Sequence, residues 1–148
     1  MEIIIVLHGP RRSEGGDGFS LFELMIVIVI TSVLAAVAVP IYYKSIDKAM
    51  SSEARAGIGA IRNELLVSYG IEGRFPISPL YKKVVGLEWN DIKPGELTGK
   101  YFKDKNFKYQ SLDGIHYRIR CSKNRVMEKN IWLDETGTWK DDDLDDEE

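Results

Sequence analysis

The apolar and polar positions of this chain fall into three regimes. Residues 24–43 hold twenty consecutive positions without a formal charge. At about 1.5 Å rise per residue, a helix of that length covers about 30 Å, the thickness of a bilayer's hydrocarbon layer. Thr31 and Ser32 are tolerable inside such a span because their hydroxyls can bond back to helix carbonyls. A secretory signal would have a shorter apolar run followed by a small-residue cleavage site, whereas this run is full length and ends at Pro40. A wholly buried helix would need more surrounding chain than remains. The pattern therefore predicts membrane residence at some stage.

Beyond Tyr43 the pattern becomes one-sided. Ile46, Met50, Ala54, Ile58, Ile61, Leu65 and Tyr69 recur every three or four positions, with Lys44, Asp47, Lys48, Glu53, Arg55 and Arg62 between them. This is an amphipathic continuation, so one helix of roughly fifty residues ends near Gly70 or Gly73. Gly57 and Gly59 weaken it locally and permit a bend or the close approach of a packed sheet. Pro40 cannot donate to the carbonyl of Ala36, which predicts a kink or local melting there.

The third regime is short alternation. After a Gly/Pro-punctuated connector over residues 70–106, with one short helix expected at 79–85, Phe107, Tyr109, Ile115, Tyr117, Ile119 and Cys121 alternate with Lys108, Gln110, His116, Arg118, Arg120 and Ser122. Asp113-Gly114 reads as a tight hairpin turn. A third strand is expected over 126–133, and the "DETG" turn leads to a short one at Thr138-Trp139. The fold class is α+β, with a long helix whose apolar stripe packs on a small antiparallel sheet. Residues 141–148, "DDDLDDEE", hold seven acids and read as a tail too charged to bury surface.

Composition changes this picture little. The formal charge is -3, concentrated in that tail, over a mildly basic body. Cys121 is the single cysteine, so no intrachain disulfide forms, and a buried free thiol is expected. His8 and His116 are the two histidines, and His116 falls on the polar face of a strand. No nucleophile–base constellation, phosphate loop or metal-ligand spacing appears, so neither enzyme activity nor a cofactor or metal is expected. Lys82, Lys83, Lys100, Lys103, Lys105, Lys108, Arg118 and Arg120 could form a basic face for nucleic acid or anionic surfaces, against the plainer reading of a solvated face. Phe19, Phe22, Tyr42, Tyr43 and Tyr69 form an aromatic series explained by packing and interfacial anchoring.

The stretch "GFSLFELMIVIVITSVLAAVAVP", from Gly18 to Pro40, resembles the prepilin signature of type IV pilins and type II secretion pseudopilins. The family pattern has a glycine, a phenylalanine, a glutamate and an apolar span that ends near a proline. The resemblance implies cleavage between Gly18 and Phe19 by a membrane peptidase, and N-methylation of the Phe19 amine. It implies storage in the bacterial inner membrane, then assembly by inner-membrane machinery, with copies of itself, into an extracellular or periplasmic filament. Its divisions are a leader over 1–18, a membrane and filament-core helix half over 19–43, a pilin head over 44–140 and the tail over 141–148. Residues 51–76 resemble the family's second helix half and following loop; beyond Pro76 the likeness is architectural.

Glu23 then gains a rationale. A lone carboxylate in hydrocarbon costs several kcal/mol. An opposite charge at about 4 Å and effective ε of about 20 recovers about 4 kcal/mol. Cleavage creates such a charge at Phe19, and a neighbouring copy displaced along the axis can bring it to Glu23. Glu23 would thereby set the axial register of a filament; the plainer alternative is an acid favoured at a helix start and snorkelling into headgroups. Departures from the family pattern are Ser32 where a glycine is frequent, and Glu14 and Asp17 beside Arg11 and Arg12 in the leader. Three functions follow: a pilus-like filament subunit for adhesion, motility or DNA uptake, a type II secretion pseudopilin, or a single-span membrane protein that displays a binding domain.

Overall fold

A computed structural model describes residues 19–122, 124, 127 and 129–142. The expected leader, residues 143–148 of the tail, and positions 126 and 128 of the third predicted strand lie outside these. One helix, α1, spans Leu21–Glu72 and is followed by β1 Ser78–Lys83, β2 Phe107–Ser111, β3 Arg118–Cys121, β4 Asn130–Asp134 and β5 Trp139–Asp142. The chain divides between Ile41 and Tyr42 into two compact units.

The first unit contains the apolar half of α1. Its large side chains are exposed throughout, from Leu21 at 78% to Ile41 at 59%. Among the described residues, α1 is the one helix long and apolar enough to cross a membrane. Helical geometry runs unbroken through Pro40. Thr31 Oγ1 donates to the Val27 and Ile28 carbonyls at 2.8 and 3.1 Å, and Ser32 Oγ to that of Ile28 at 2.6 Å. The span thus satisfies its few polar groups internally, as hydrocarbon demands.

The second unit is the α+β head. The sheet is a five-stranded antiparallel meander in chain order, β1 to β5. Met50, Ala54, Ile58, Ile61 and Leu65 of α1 are fully buried, on the predicted stripe. They meet Phe107, Tyr109, Ile119, Cys121, Ile131 and Leu133 of the sheet in one core. Gly57 admits the sheet to the helix: a Cβ there would sit 2.5 Å from the Phe107 ring. The helix ends at Glu72, where Gly73 adopts φ of 72° and donates its N–H to the Tyr69 carbonyl at 2.8 Å. That left-handed residue past the last turn is a common helix stop.

Three expectations are corrected. Residues 78–83 form an edge strand where a helix was expected over 79–85. Ser78 pairs with Ser111, and Lys82 and Lys83 pair with Tyr109 and Lys108 across a bulge. Pro79, lacking an N–H, is tolerated at an edge, and its carbonyl accepts from Gln110 Nε2 at 2.8 Å. The Asp113-Gly114 hairpin is wide, because the last β2–β3 pair is Gln110 with Arg118. The Asp113 carboxylate bonds the Ile115 and His116 N–H groups at 2.9 and 2.8 Å. That local bonding displaces the two-residue turn and leaves Ile115 exposed in a loop. Finally, β5 continues through Asp142, so Asp141 and Asp142 belong to the sheet rather than to a tail beginning at 141.

Candidate functional site

The sequence-predicted site lies at the start of α1. Phe19 precedes the helix and is 77% exposed. Glu23 occupies the first turn, which opens with the Leu24 N–H donating to the Ser20 carbonyl at 3.0 Å. Among the described residues Glu23 has no ion-pair partner, since the ion pairs there are Arg55–Asp141 and His116–Asp113. The next basic residue along the helix is Lys44, twenty-one positions on, which is about 32 Å along a helix. Gly18, the other half of the expected cleavage site, lies outside the described residues. Pro40 sits inside α1 near the end of the apolar span.

The head contains clasps that the sequence did not reveal. Glu53 of α1 accepts the N–H groups of Lys100, Tyr101 and Phe102 at 3.1, 2.9 and 2.8 Å. This carboxylate pins the long connector to the helix and lets Phe102 enter the core. Gly99 makes room for it, because a Cβ there would collide with the Glu53 carboxylate. Asp104 similarly accepts from Gly95 N–H at 2.6 Å and Thr98 Oγ1 at 3.0 Å. The stretch from Gly95 to Asp104 is thus held by side-chain carboxylates that replace ladder bonds.

Cys121 is a buried free thiol. Burial first, then the nearby Glu53 charge, pushes its pKa up to about 12, so it is not a nucleophile at neutral pH. His116 is exposed as expected, but in the β2–β3 loop rather than on the expected strand, because β3 begins at Arg118; it pairs through Nδ1 with Asp113 Oδ2 at 2.6 Å. Its pKa is raised, chiefly by that hydrogen bond and then by the Asp113 charge. The pair borders a cavity of about 400 Å³ that Arg118, Trp132, Asp134 and Lys140 also line. Among the described residues no group of three or more His, Cys, Asp or Glu is placed to hold a metal.

The predicted basic face is divided. Tyr109, Ile119, Leu133 and Trp139 pair in register on the core face of the sheet, so their neighbours turn outward. Lys83, Lys108 and Arg118 lie on this outer face, whereas Lys103 precedes, and Lys105 lies within, the 3₁₀ turn Asp104–Asn106. Arg120 is corrected from the solvated face: it is 6% exposed, its guanidinium 4.1 Å from the Tyr81 ring centroid. The aromatic series is also divided. Tyr42 and Tyr43 meet edge to face at 6.3 Å, while Tyr69 stacks on Phe75 at 4.7 Å.

Comparison with known proteins bears on the helix start. Residues 17–39 match the prokaryotic N-terminal methylation motif. The chain is also similar to two type IV major pilin proteins PilE1 of Neisseria gonorrhoeae. One is 34% identical over 91 residues, 62% of this chain and 52% of the relative. The second is 34% identical over 87 residues, 59% of this chain and 45% of the relative. The chain spans about half the length of these relatives. The motif and the partial similarity, together with the helix-on-sheet fold, support a likeness to type IV pilins.

Proposed function

We propose that this chain is the structural subunit of a type IV pilus-like filament. It is stored in the inner membrane and polymerised by inner-membrane machinery after a prepilin peptidase cleaves between Gly18 and Phe19 and the Phe19 amine is methylated. One observation carries this reading: an apolar helix half exposed along its whole length, with a lone acid, Glu23, in its first turn. Exposed apolar surface on that scale demands lipid or other apolar surface around it. Lipid meets the demand before assembly, and identical helices meet it in the filament, so the span never faces water. The amine freed at Phe19 of an adjacent copy neutralises Glu23 and fixes the axial step between subunits. Such a filament would serve adhesion, motility or DNA uptake.

Glu23→Gln tests the pairing, because it keeps the shape and removes the charge. Membrane insertion should match the native chain, while filament yield falls about tenfold or more, given the roughly 4 kcal/mol of attraction at stake. Sheared filaments quantified beside membrane-fraction immunoblots measure both. Filament yield equal to the native chain's would remove the pairing from the account. A pseudopilin role predicts the same result for Glu23→Gln but envelope-confined subunits and lost protein secretion on deletion.

A further inference from the structure

Another cavity, of about 250 Å³, lies between the last turns of α1 and residues 88–91 of the connector. Glu64, Ser68 and Glu72 stand four residues apart on α1 and so share one side of the helix. Glu88 and Asp91 of the connector line the same cavity, and the Asp91 N–H donates to Glu64 Oε2 at 3.4 Å. Asn90 fixes this part of the connector: its Nδ2 donates to the Val84 carbonyl and its Oδ1 accepts the Ile92 N–H, both at 3.1 Å. None of the four carboxylates is in an ion pair among the described residues. The last turn of α1 contains Glu72 and no basic residue, although the negative end of the helix dipole favours a cation there.

Acids alone suit any cation; two further groups narrow the choice. Ser68 is 6% exposed, lines the cavity and makes no hydrogen bond among the described residues. A hydroxyl that buried ordinarily has a partner, so it offers an unused acceptor to a donor entering the cavity. Trp89 lines the cavity too, its ring centroid 5.1 Å from that of Tyr109. Trp132 and Trp139 each have a cation over the ring, whereas Trp89 has none among the described residues. A bare metal ion fits poorly, since among the described residues no three acids are placed to hold one. Trp89 and the exposed Val67 and Ile71 suit a cation with an apolar stem. We propose that this cavity is a binding site for an organic cation, an alkylammonium or guanidinium group. Its stem lies on Val67 and Ile71, its charge among the four carboxylates, and one of its N–H groups donates to Ser68 Oγ. A free amine and the end of a lysine or arginine side chain from a second copy present the same chemistry. The site does not depend on filament formation.

Titration of the ¹⁵N-labelled full chain in detergent with cadaverine, at fixed ionic strength, tests this through the Trp89 indole signal. The signal should shift saturably. Ser68→Ala should raise the half-saturating concentration about threefold or more, the worth of one hydrogen bond. The double variant E64Q and E88Q should raise it further, while keeping an oxygen for the Asp91 N–H. Asp47→Asn, which removes an acid of α1 outside the cavity, should leave it unchanged. Circular-dichroism melts matching the native chain show that the variants fold. A shift that never saturates would overturn the proposal and leave the cavity to water, as would native half-saturation in both Ser68→Ala and the double variant. Half-saturation by calcium at a lower concentration than cadaverine would make it a metal site and overturn it too. Carbodiimide cross-linking of mixed unlabelled and ¹⁵N-labelled copies separates the two sources. Mixed-isotope products joining Glu64, Glu72, Glu88 or Asp91 to a lysine assign the cation to a second copy; cadaverine saturation without such products assigns it to a free amine.

Discussion

Glu53 illustrates how one side chain organises a segment that has few ladder bonds of its own. Its two oxygens take three successive backbone N–H groups from 100–102. Charge-assisted bonds of this kind are stronger than neutral ones, and their loss leaves donors unsatisfied. Glu53→Ala should therefore destabilise the head by about 2–3 kcal/mol, read as a lowered midpoint in a circular-dichroism melt of the full chain in detergent. An unchanged midpoint would show that the connector is held by its apolar contacts alone. His116 and Asp113 form a second local clasp, with opposite titration shifts. Hydrogen bonding to Asp113 raises His116 above the ordinary 6.5, and the same bond lowers Asp113. The His116 contribution is complete below pH 6.5 and disappears as pH rises through the raised value; that of Asp113 is complete above the ordinary carboxylate range and disappears as pH falls through the lowered value. A nuclear magnetic resonance titration should place the His116 midpoint above 6.5, and Asp113→Asn should return it towards 6.5. A native midpoint at or below 6.5 contradicts the clasp.

Among the elements, α1 was the most legible in the sequence. Its buried positions follow a spacing that only a helix produces, and Gly73 marks its end within a residue. Gly57 was legible as a contact point but not as a contact with a particular partner; the Phe107 ring supplies it. Gly57→Ala should cost about 1–3 kcal/mol, because the ring must move in a packed core, whereas Gly59→Ala faces open space. Equal melting midpoints for the two variants would contradict the close approach. The strands were readable where both faces alternate, as in β2 and β3. β1 was not, because its Ser78 and Lys82 registers are separated by a bulge and its identity as a strand comes from pairing with β2. The hairpin width escaped prediction for a related reason. A carboxylate one residue before glycine can bond its own loop, and sequence does not say whether it will.

At the scale of the whole molecule, the two units ask for different surroundings. The head buries a core between α1 and the sheet. The span of α1 before Tyr42 buries nothing in the single chain. The helix start stands out in the sequence as a candidate site because two incompatible demands, a long apolar run and a charge in its first turn, stand within a few residues. The clasp at Glu53 and the cation-covered Trp132 were not legible there, because they join different elements of the chain. The account depends on proteolysis that supplies the missing cation. Intact-mass spectrometry with N-terminal sequencing of the chain from purified filaments tests this directly. It should begin at Phe19 and carry one methyl group on that amine; filaments built from chains that still contain Gly18 would contradict it.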